Sequence, residues 1–340
     1  MKSRRIKNKN IKGKTAGLLQ RFFYCLFFAV SPSLPSTLYP LPSCAAGFDR
    51  NFAGTAGVQS LKIAVDARGV ALGEAFSALA DGASTLDWNP AGLIKIKKQS
   101  LSFMHSPYLA DTYLDFFAYA QNAGPMGCWG VAFKYMNYGS IKKTDSSGVP
   151  LGGFTPYDMT ANVGFATYIT GFNKEPEERF VLGATGKFVR SQILMADNTV
   201  SADIGILFPY FFDNRFQLAM SVQNIMGTLR YDKEDYPLPL ILRLGSATKI
   251  NNYFILTADL VAARDNYPFL AMGGEVKINV RKTALFLRGG FNTRAVTDVS
   301  GFRNLTFGTG FKYGAYSIDY SLSPFGSLGS VHRISAGLNY

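Results

Sequence analysis

A transmembrane antiparallel β-barrel is the fold class that the sequence predicts, and three patterns predict it. Segments of about ten residues alternate apolar and polar side chains, which is the period of a strand with two different faces. Charged residues recur on the polar face, and short links between segments alternate with long ones. A strand that crosses a bilayer at a tilt has this length, with its apolar face toward lipid and its polar face toward a lumen.

Turn residues divide the region 98–340 into fourteen candidate strands. The predicted strands are 99–106, 112–121, 127–138, 157–170, 179–192, 198–210, 215–224, 238–249, 253–262, 269–279, 283–292, 302–313, 315–322 and 330–340. Tyrosine and phenylalanine cluster at the strand ends, where aromatic rings can lie at the level of lipid headgroups. Outer-membrane lipids are therefore expected partners.

The lengths of the links give an independent test of this strand count. Tight links follow even-numbered strands, at 122–125, 213–214, 251–252, 281–282 and Gly314. Long polar links follow odd-numbered strands, at 139–156, 225–237, 293–301 and 323–329, with 171–178 as the exception. Bacterial barrels have an even strand count, short periplasmic turns and longer outer loops. Short links after even-numbered strands and long links after odd-numbered strands therefore predict a barrel with both termini in the periplasm.

Charged residues occupy the polar phase of the later strands. They are Arg243, Asp259, Glu275, Lys277, Arg288, Lys312, Asp319 and Arg333. A closed hydrophobic core could not hold so many charges without close pairing, whereas a lumen that contains water or a plug can. We expect these residues to be lumen charges, which either hold a plug by ion pairs or pair with one another across the barrel wall.

The first 46 residues differ from the rest of the chain. Eight basic residues and no acidic residue precede position 47, so that region carries +8 of the formal net charge of +12. A short apolar run at 18–30 follows most of the basic residues, and small residues follow it. This order predicts a signal peptide at 1–46 and export to the bacterial outer membrane. It leaves Cys128 as the one cysteine of the mature chain, so no intrachain disulfide is expected.

Residues 47–97 form a third region, which we predict to be a hatch that precedes the barrel at 98–340. The region is rich in small residues and ends with the motif Asn89, Pro90, Ala91 and Gly92. Asn89 can cap a helix, and Pro90 is tolerated at the first helical position. Taken alone, this local chemistry predicts only a turn.

In context, the motif resembles a known family. The segments SLKIAVDARG at 60–69, LGEAF at 72–76 and ALADGASTLDWNPAGL at 78–93 are similar to the N-terminus of the FadL/TodX superfamily of hydrophobic-compound transporters. Within it, they and the ending LGSVHRIS at 328–335 resemble the PorV/PorQ-like branch. The resemblance implies a barrel of fourteen strands with a lumenal hatch that carries an Asn-Pro-Ala motif, here Asn89, Pro90 and Ala91.

Two functions follow from this resemblance. The first is passive uptake of hydrophobic small molecules such as long-chain fatty acids, in which the hatch moves when a ligand binds. The alternative is a PorV-like scaffold or shuttle barrel for protein secretion, which binds cargo and transfers it to surface machinery. The aromatic C-terminal residue, Tyr340, ends an alternating strand and predicts an assembly signal, so the barrel-assembly machinery is a further expected partner.

Enzymes and nucleic-acid binders fit the sequence poorly. His105 and His332 are the only histidines, and neither lies in a recognisable arrangement with a spaced serine and an acid. His105 and Ser106 are adjacent, so they point to opposite faces of a strand and cannot form a catalytic couple. No metal-ligand spacing occurs, and no cofactor is expected. The mature chain lacks a basic patch for nucleic acid.

Overall fold

The computed structural model describes residues 48–169, 175–231, 233–294 and 304–340. In these residues, fourteen strands close into one antiparallel barrel in which the first strand pairs with the last. The predicted fold class is therefore confirmed. The predicted signal peptide at 1–46 lies outside the described residues.

The described residues contain eighteen strands, which are named in chain order, and four of them lie outside the barrel. They are β1 (Gln99–Pro107), β2 (Tyr113–Asn122), β3 (Cys128–Asn137), β4 (Ile141–Thr144), β5 (Pro150–Phe154), β6 (Tyr157–Tyr168), β7 (Val181–Gln192), β8 (Ala196–Leu207), β9 (Phe216–Gln223), β10 (Thr228–Tyr231), β11 (Glu234–Pro237), β12 (Ile241–Lys249), β13 (Phe254–Ala263), β14 (Phe269–Val280), β15 (Thr283–Asn292), β16 (Leu305–Tyr313), β17 (Tyr316–Pro324) and β18 (Ser330–Asn339). In the described part of the chain, each barrel strand matches one predicted strand, with ends that differ by three residues at most.

Two of the long links are more ordered than the sequence predicts. The link at 139–156 contains the hairpin β4–β5, and the link at 225–237 contains the hairpin β10–β11. In the first hairpin, the Asp145 carboxylate accepts hydrogen bonds from the backbone N–H groups of Ser147 and Val149, which closes the turn. We call the end of the barrel that carries these long links the loop end, and the opposite end the turn end.

The strands separate two environments. In β7, the residues from Val181 to Val189 alternate strictly between buried and exposed. Large apolar side chains are half-exposed on the outer face of the wall, as shown by Phe103 at 50%, Leu287 at 52% and Ile334 at 56%. An apolar surface of this extent requires apolar surroundings, because a soluble protein would aggregate through it. Across the described residues, no helix is long and apolar enough to cross a membrane.

The hatch runs through the inside of the barrel from the loop end to the turn end. Near its start, the backbone N–H of Phe48 donates to Arg264 between β13 and β14, and that of Gly57 donates to Pro237 after β11. Its short helices are Arg50–Phe52, Gln59–Lys62, Ala67–Ala71, Ala83–Asp87 and Pro90–Lys95. Most apolar side chains of the hatch are buried in one cluster with inward-facing residues of β1 and β2, including Met104, Leu114 and Phe116.

Candidate functional site: the hatch and the lumen wall

The predicted hatch motif starts a short 3₁₀-helix. Asn89 is extended (φ −157°, ψ 106°), and its Oδ1 accepts a hydrogen bond from the backbone N–H of Ala91 at 3.1 Å. Pro90 occupies the first helical position, where the missing N–H costs nothing. The helix continues to Lys95, so the motif forms more than the turn that its local sequence predicts. Asn89, Pro90, Ala91 and Gly92 are all buried.

Asn89 also connects the hatch to the wall. Its Nδ2 lies 3.3 Å from the carbonyl oxygen of Ile206 on β8 and 3.4 Å from that of Met220 on β9. A third carbonyl, that of Ser77 on the hatch, is 3.4 Å away. One buried amide therefore bridges two neighbouring strands and two parts of the hatch.

Two wall glycines leave the space that the motif fills. A Cβ atom at Gly205 on β8 would lie 2.0 Å from Asn89 Oδ1, and one at Gly183 on β7 would lie 2.2 Å from the backbone nitrogen of Ala91. Both distances are far below van der Waals contact, so no side chain fits at either position. These two glycines were not among the predicted site residues, and they would have been detectable only with the hatch already placed against β7 and β8.

Trp88, the residue before the motif, contacts both the barrel wall and another part of the hatch. The carbonyl oxygen of Trp88 accepts hydrogen bonds from Ser221 Oγ and Gln223 Nε2, both at 3.1 Å. The guanidinium group of Arg243, a predicted lumen charge, lies 5.0 Å from the centre of the Trp88 ring, and Phe76 packs edge-on against that ring at 5.4 Å. Arg243 is thus a cation–π contact of the hatch, and it is buried.

Three other predicted lumen charges form a connected ion-pair network with the hatch. Arg68 on the hatch makes a bidentate pair with Glu275, with both N–O distances 2.8 Å. Arg288 Nε lies 2.6 Å from the same carboxylate, and Arg288 Nη1 lies 2.6 Å from Asp319. Arg68 also pairs with Asp81 on the hatch at 3.0 Å. We call these five residues the ion-pair network: Asp81, Arg68, Glu275, Arg288 and Asp319. Its wall residues hold the hatch by ion pairs and also pair with one another, which are the two arrangements expected of the lumen charges.

The remaining predicted lumen charges have different surroundings. Asp259 is buried and accepts hydrogen bonds from the backbone N–H groups of Phe76 and Ser77 and from the Ser77 hydroxyl. Arg333 is buried, donates to Ser323 and lies over the Tyr108 ring at 5.7 Å. Lys277 is half-buried and Lys312 is exposed, and both line a cavity at the turn end.

The titration of the hatch groups follows from their burial. Burial disfavours the charge on Arg68, but Glu275 and Asp81 outweigh this effect and raise its pKa well above the usual range. Burial raises the pKa of the Asp66 carboxyl, and the nearby Asp319 raises it further. Burial lowers the pKa of Lys95 to about 8, and its ammonium group donates to the carbonyl oxygen of Ala78 at 2.6 Å.

A second set of buried charges was not predicted. Lys134 on β3 pairs with Asp87 on the hatch at 3.1 Å, and Lys187 on β7 pairs with Asp203 on β8 at 2.7 Å. Both lysines are in the buried, lumen-facing phase of their strands. The alternation that identified the later lumen charges therefore applies to these residues as well, and it could have identified them.

The hatch is also fixed at the loop end. Lys62 pairs with Asp265 at 2.8 Å, and Ser60 donates to Asp158 on β6 at 2.7 Å. Beside these contacts lies an apolar cluster, which we call the loop-end cluster. It consists of Val58, Leu61, Val189, Leu229 and Leu238.

The two histidines face away from the hatch contacts. His105 Nδ1 lies 2.6 Å from Asp115, and His332 Nδ1 lies 2.7 Å from the Tyr320 hydroxyl. All four residues lie on the outer face of their strands, with the His105 side chain 48% and the Asp115 side chain 37% exposed. Within the described ranges, no group of three or more His, Cys, Asp or Glu residues could hold a metal ion.

The C-terminal residue closes the barrel. The backbone N–H of Tyr340 donates to Gln99 at 2.9 Å, and its carbonyl oxygen accepts from Lys98 at 3.1 Å. Tyr340 therefore extends the pairing of β18 with β1, while its side chain is 56% exposed. Its role as an assembly signal stays a prediction.

Comparison with known proteins agrees with this architecture. An uncharacterised protein family (UPF0164) matches residues 38–170, and no curated protein matches the chain. The toluene transporter TbuX of Ralstonia pickettii is 13% identical with a TM-score of 0.51, and the match covers 83% of this chain and 98% of that one. The toluene transporter TodX of Pseudomonas putida is 11% identical with a TM-score of 0.52, covering 78% and 96%. The chain has the TodX-type barrel fold. The predicted resemblance to the FadL/TodX superfamily is confirmed at the level of the fold, whereas the PorV/PorQ-like branch stays a prediction.

Proposed function

We propose that this chain is an outer-membrane barrel that admits hydrophobic small molecules, with long-chain fatty acids as one substrate class. The observation that carries the proposal is a hatch that occupies much of the lumen, inside a wall whose outer face is apolar. Phe103, Leu287 and Ile334 are half-exposed on that face, which suits the hydrocarbon region of a membrane. TbuX and TodX, which are named as toluene transporters, support the proposal through their shared fold.

The loop-end cluster is a suitable first contact for such a solute. Val58, Leu61, Leu229 and Leu238 are each at most 8% exposed and lie between the start of the hatch and the hairpin β10–β11. Displacing apolar side chains by an apolar solute leaves the buried hydrogen bonds intact, so the exchange costs little. The action needs no covalent chemistry, and we propose that the chain is not an enzyme.

The wall beside the loop-end cluster contains a seam. The β8–β9 ladder has four residue pairs, Ile204–Leu207 with Ala219–Val222, whereas the β7–β8 ladder has twelve. Beyond Val222, the loop residues 225–226 border β8 through single hydrogen bonds, from Ile225 N–H to Ala202 O (3.0 Å) and from Ser201 Oγ to Met226 O (2.7 Å). We propose that the solute leaves the loop-end cluster through this seam, because the fewest ladder bonds must open there.

A disulfide across the seam tests the uptake and the route together. Ala202 and Ile225 are joined by a backbone hydrogen bond, so their Cα atoms lie roughly 5.5 Å apart, which suits a disulfide. We expect vesicles that contain the reduced A202C/I225C barrel to take up labelled dodecanoate faster than protein-free vesicles. Oxidation is expected to slow the uptake at least fivefold.

The matched control places the same disulfide in a complete ladder. Thr309 on β16 and Tyr320 on β17 are direct partners on the outer face, so oxidised T309C/Y320C is expected to transport like the reduced barrel. Uptake by the reduced barrel that does not exceed that of protein-free vesicles would overturn the proposed function. Equal uptake by oxidised and reduced A202C/I225C would overturn the seam alone.

A further inference from the structure

The turn end of the lumen holds a cavity of about 580 Å³ that the hatch leaves open. The hatch forms one side of it, and residues of β1, β2 and β13 to β18 form the other. The ion-pair network lines the cavity where it meets the hatch. The cavity is thus separate from the loop-end cluster, which lies at the opposite end of the hatch.

Three of the four carboxylates that line this cavity are ion-paired, whereas Asp66 accepts hydrogen bonds from the Arg68 backbone N–H and the Ser84 hydroxyl. Glu275 is held by Arg68 and Arg288, and Asp319 is held by Arg288. Within the described residues, neither Lys277 nor Lys312 makes an ion pair. The lining contains six basic and four acidic residues, so positive charge remains uncompensated in a space that is large enough for a ligand.

The strand register brings the two lysines to the same part of the wall. Lys277 on β14 is opposite Phe286 on β15, and Lys312 on β16 is opposite Ala284 on β15. The lysines therefore flank one strand, with their backbones roughly 12 Å apart, and both side chains point into the lumen. Two flexible lysine side chains at this separation can reach one small anion between them.

The rim around this part of the cavity is also basic. The chain at 94–99, 249–253, 279–283 and 312–317 contains lysines and arginines but no aspartate or glutamate. These segments include the links at the turn end between β12 and β13, β14 and β15, and β16 and β17. Positive charges around the rim raise the local concentration of anions, so anions are attracted to the cavity.

Several other lining residues are apolar. Ile96 and Met104 are buried, and Phe116, Ile255 and Phe286 complete this part of the lining. We infer that the cavity binds an anionic amphiphile, with a carboxylate or phosphate head group between Lys277 and Lys312 and an alkyl chain against these apolar residues. This inference goes beyond the proposed uptake, because it concerns equilibrium binding at the turn end and holds whether or not the solute is transported.

Titration calorimetry on the purified full chain in a neutral detergent tests this site. The probes are decanoate, decyl phosphate, decanol and inorganic phosphate. We expect decanoate or decyl phosphate to bind the wild-type barrel, with a Kd that rises at least tenfold in K277Q/K312Q. The probe of these two that binds more tightly shows whether the site prefers a carboxylate or a phosphate head group. Inorganic phosphate is expected to bind more weakly, because it lacks the alkyl chain.

The control variant K142Q/K143Q removes the same number of charges from the hairpin β4–β5 at the loop end. Its Kd values are expected to equal those of the wild type, and the shift in gel mobility on heating shows that each variant is folded. Equal binding of decanoate and decyl phosphate by K277Q/K312Q and the wild type would overturn the inference. The inference would also be overturned if K277Q/K312Q lost as much affinity for decanol as for decanoate or decyl phosphate, because the lysines would then act through packing rather than charge.

Discussion

Replacing Gly183 with valine is expected to displace the hatch from its position against β7. A Cβ atom there would lie 2.2 Å from the backbone nitrogen of Ala91 and 2.4 Å from the carbonyl carbon of Pro90. These are backbone atoms of a capped helix, which cannot move aside as the end of a flexible side chain can. Overpacking of this kind costs about 1–3 kcal/mol or more, and displacement of the hatch relieves it.

Limited proteolysis of the reconstituted barrel measures this displacement. In the wild type, the buried backbone of the hatch resists cleavage, whereas G183V is expected to be cut within the hatch while the strands remain intact. Gly186 offers a matched control, because it lies on the same strand, faces outward and has no atom within 4 Å of an added Cβ. G186V is expected to resist the protease like the wild type. Equal cleavage of G183V and G186V would contradict the packing of the motif against β7.

Replacing Glu275 with glutamine is expected to lower the free energy of unfolding by about 3–5 kcal/mol, which is typical when one partner of a buried ion pair is removed. Glutamine has nearly the same shape, so the loss comes from charge. Both Arg68 and Arg288 would lose their shared carboxylate, and Arg288 and Glu275 are 2% exposed. Arg68 would keep its ion pair with the more exposed Asp81, and Arg288 would keep Asp319.

Unfolding in guanidinium chloride in the presence of lipid vesicles measures this loss. Asp115 provides the matched control, because it is a carboxylate in an exposed pair with His105 on the outer face of the wall. D115N is expected to change the free energy of unfolding by less than about 1 kcal/mol. If E275Q unfolds at the same denaturant concentration as D115N, the ion-pair network does not hold the hatch.

The strands could be predicted from the sequence because their signal is local. Each barrel strand carries its own alternation, and the period of two fixes which residues face the lumen. Arg243, Asp259, Glu275 and Arg333 are all buried on the inner face for this reason. The hairpins β4–β5 and β10–β11 were missed because their strands have only four or five residues, mostly exposed.

The partners of the lumen charges could not be predicted in the same way. Arg68 and Glu275 are separated by 207 positions, and their pairing depends on the path of the hatch through the lumen. That path is set by packing, including the space left at Gly183 and Gly205. The cap at Asn89 is local and was foreseen, whereas its contacts with Ile206 and Met220 depend on the path of the hatch.

Retention of labelled long-chain fatty acid by the purified, refolded barrel tests the central claim most directly. The comparison is between the wild type and N89A/P90A, which lacks the amide that bridges β8, β9 and the hatch. Our account predicts saturable retention by the wild type and altered retention by the variant, because the hatch controls access to the lumen. No saturable retention by a wild-type barrel that is shown to be folded would contradict it and would favour the secretion scaffold.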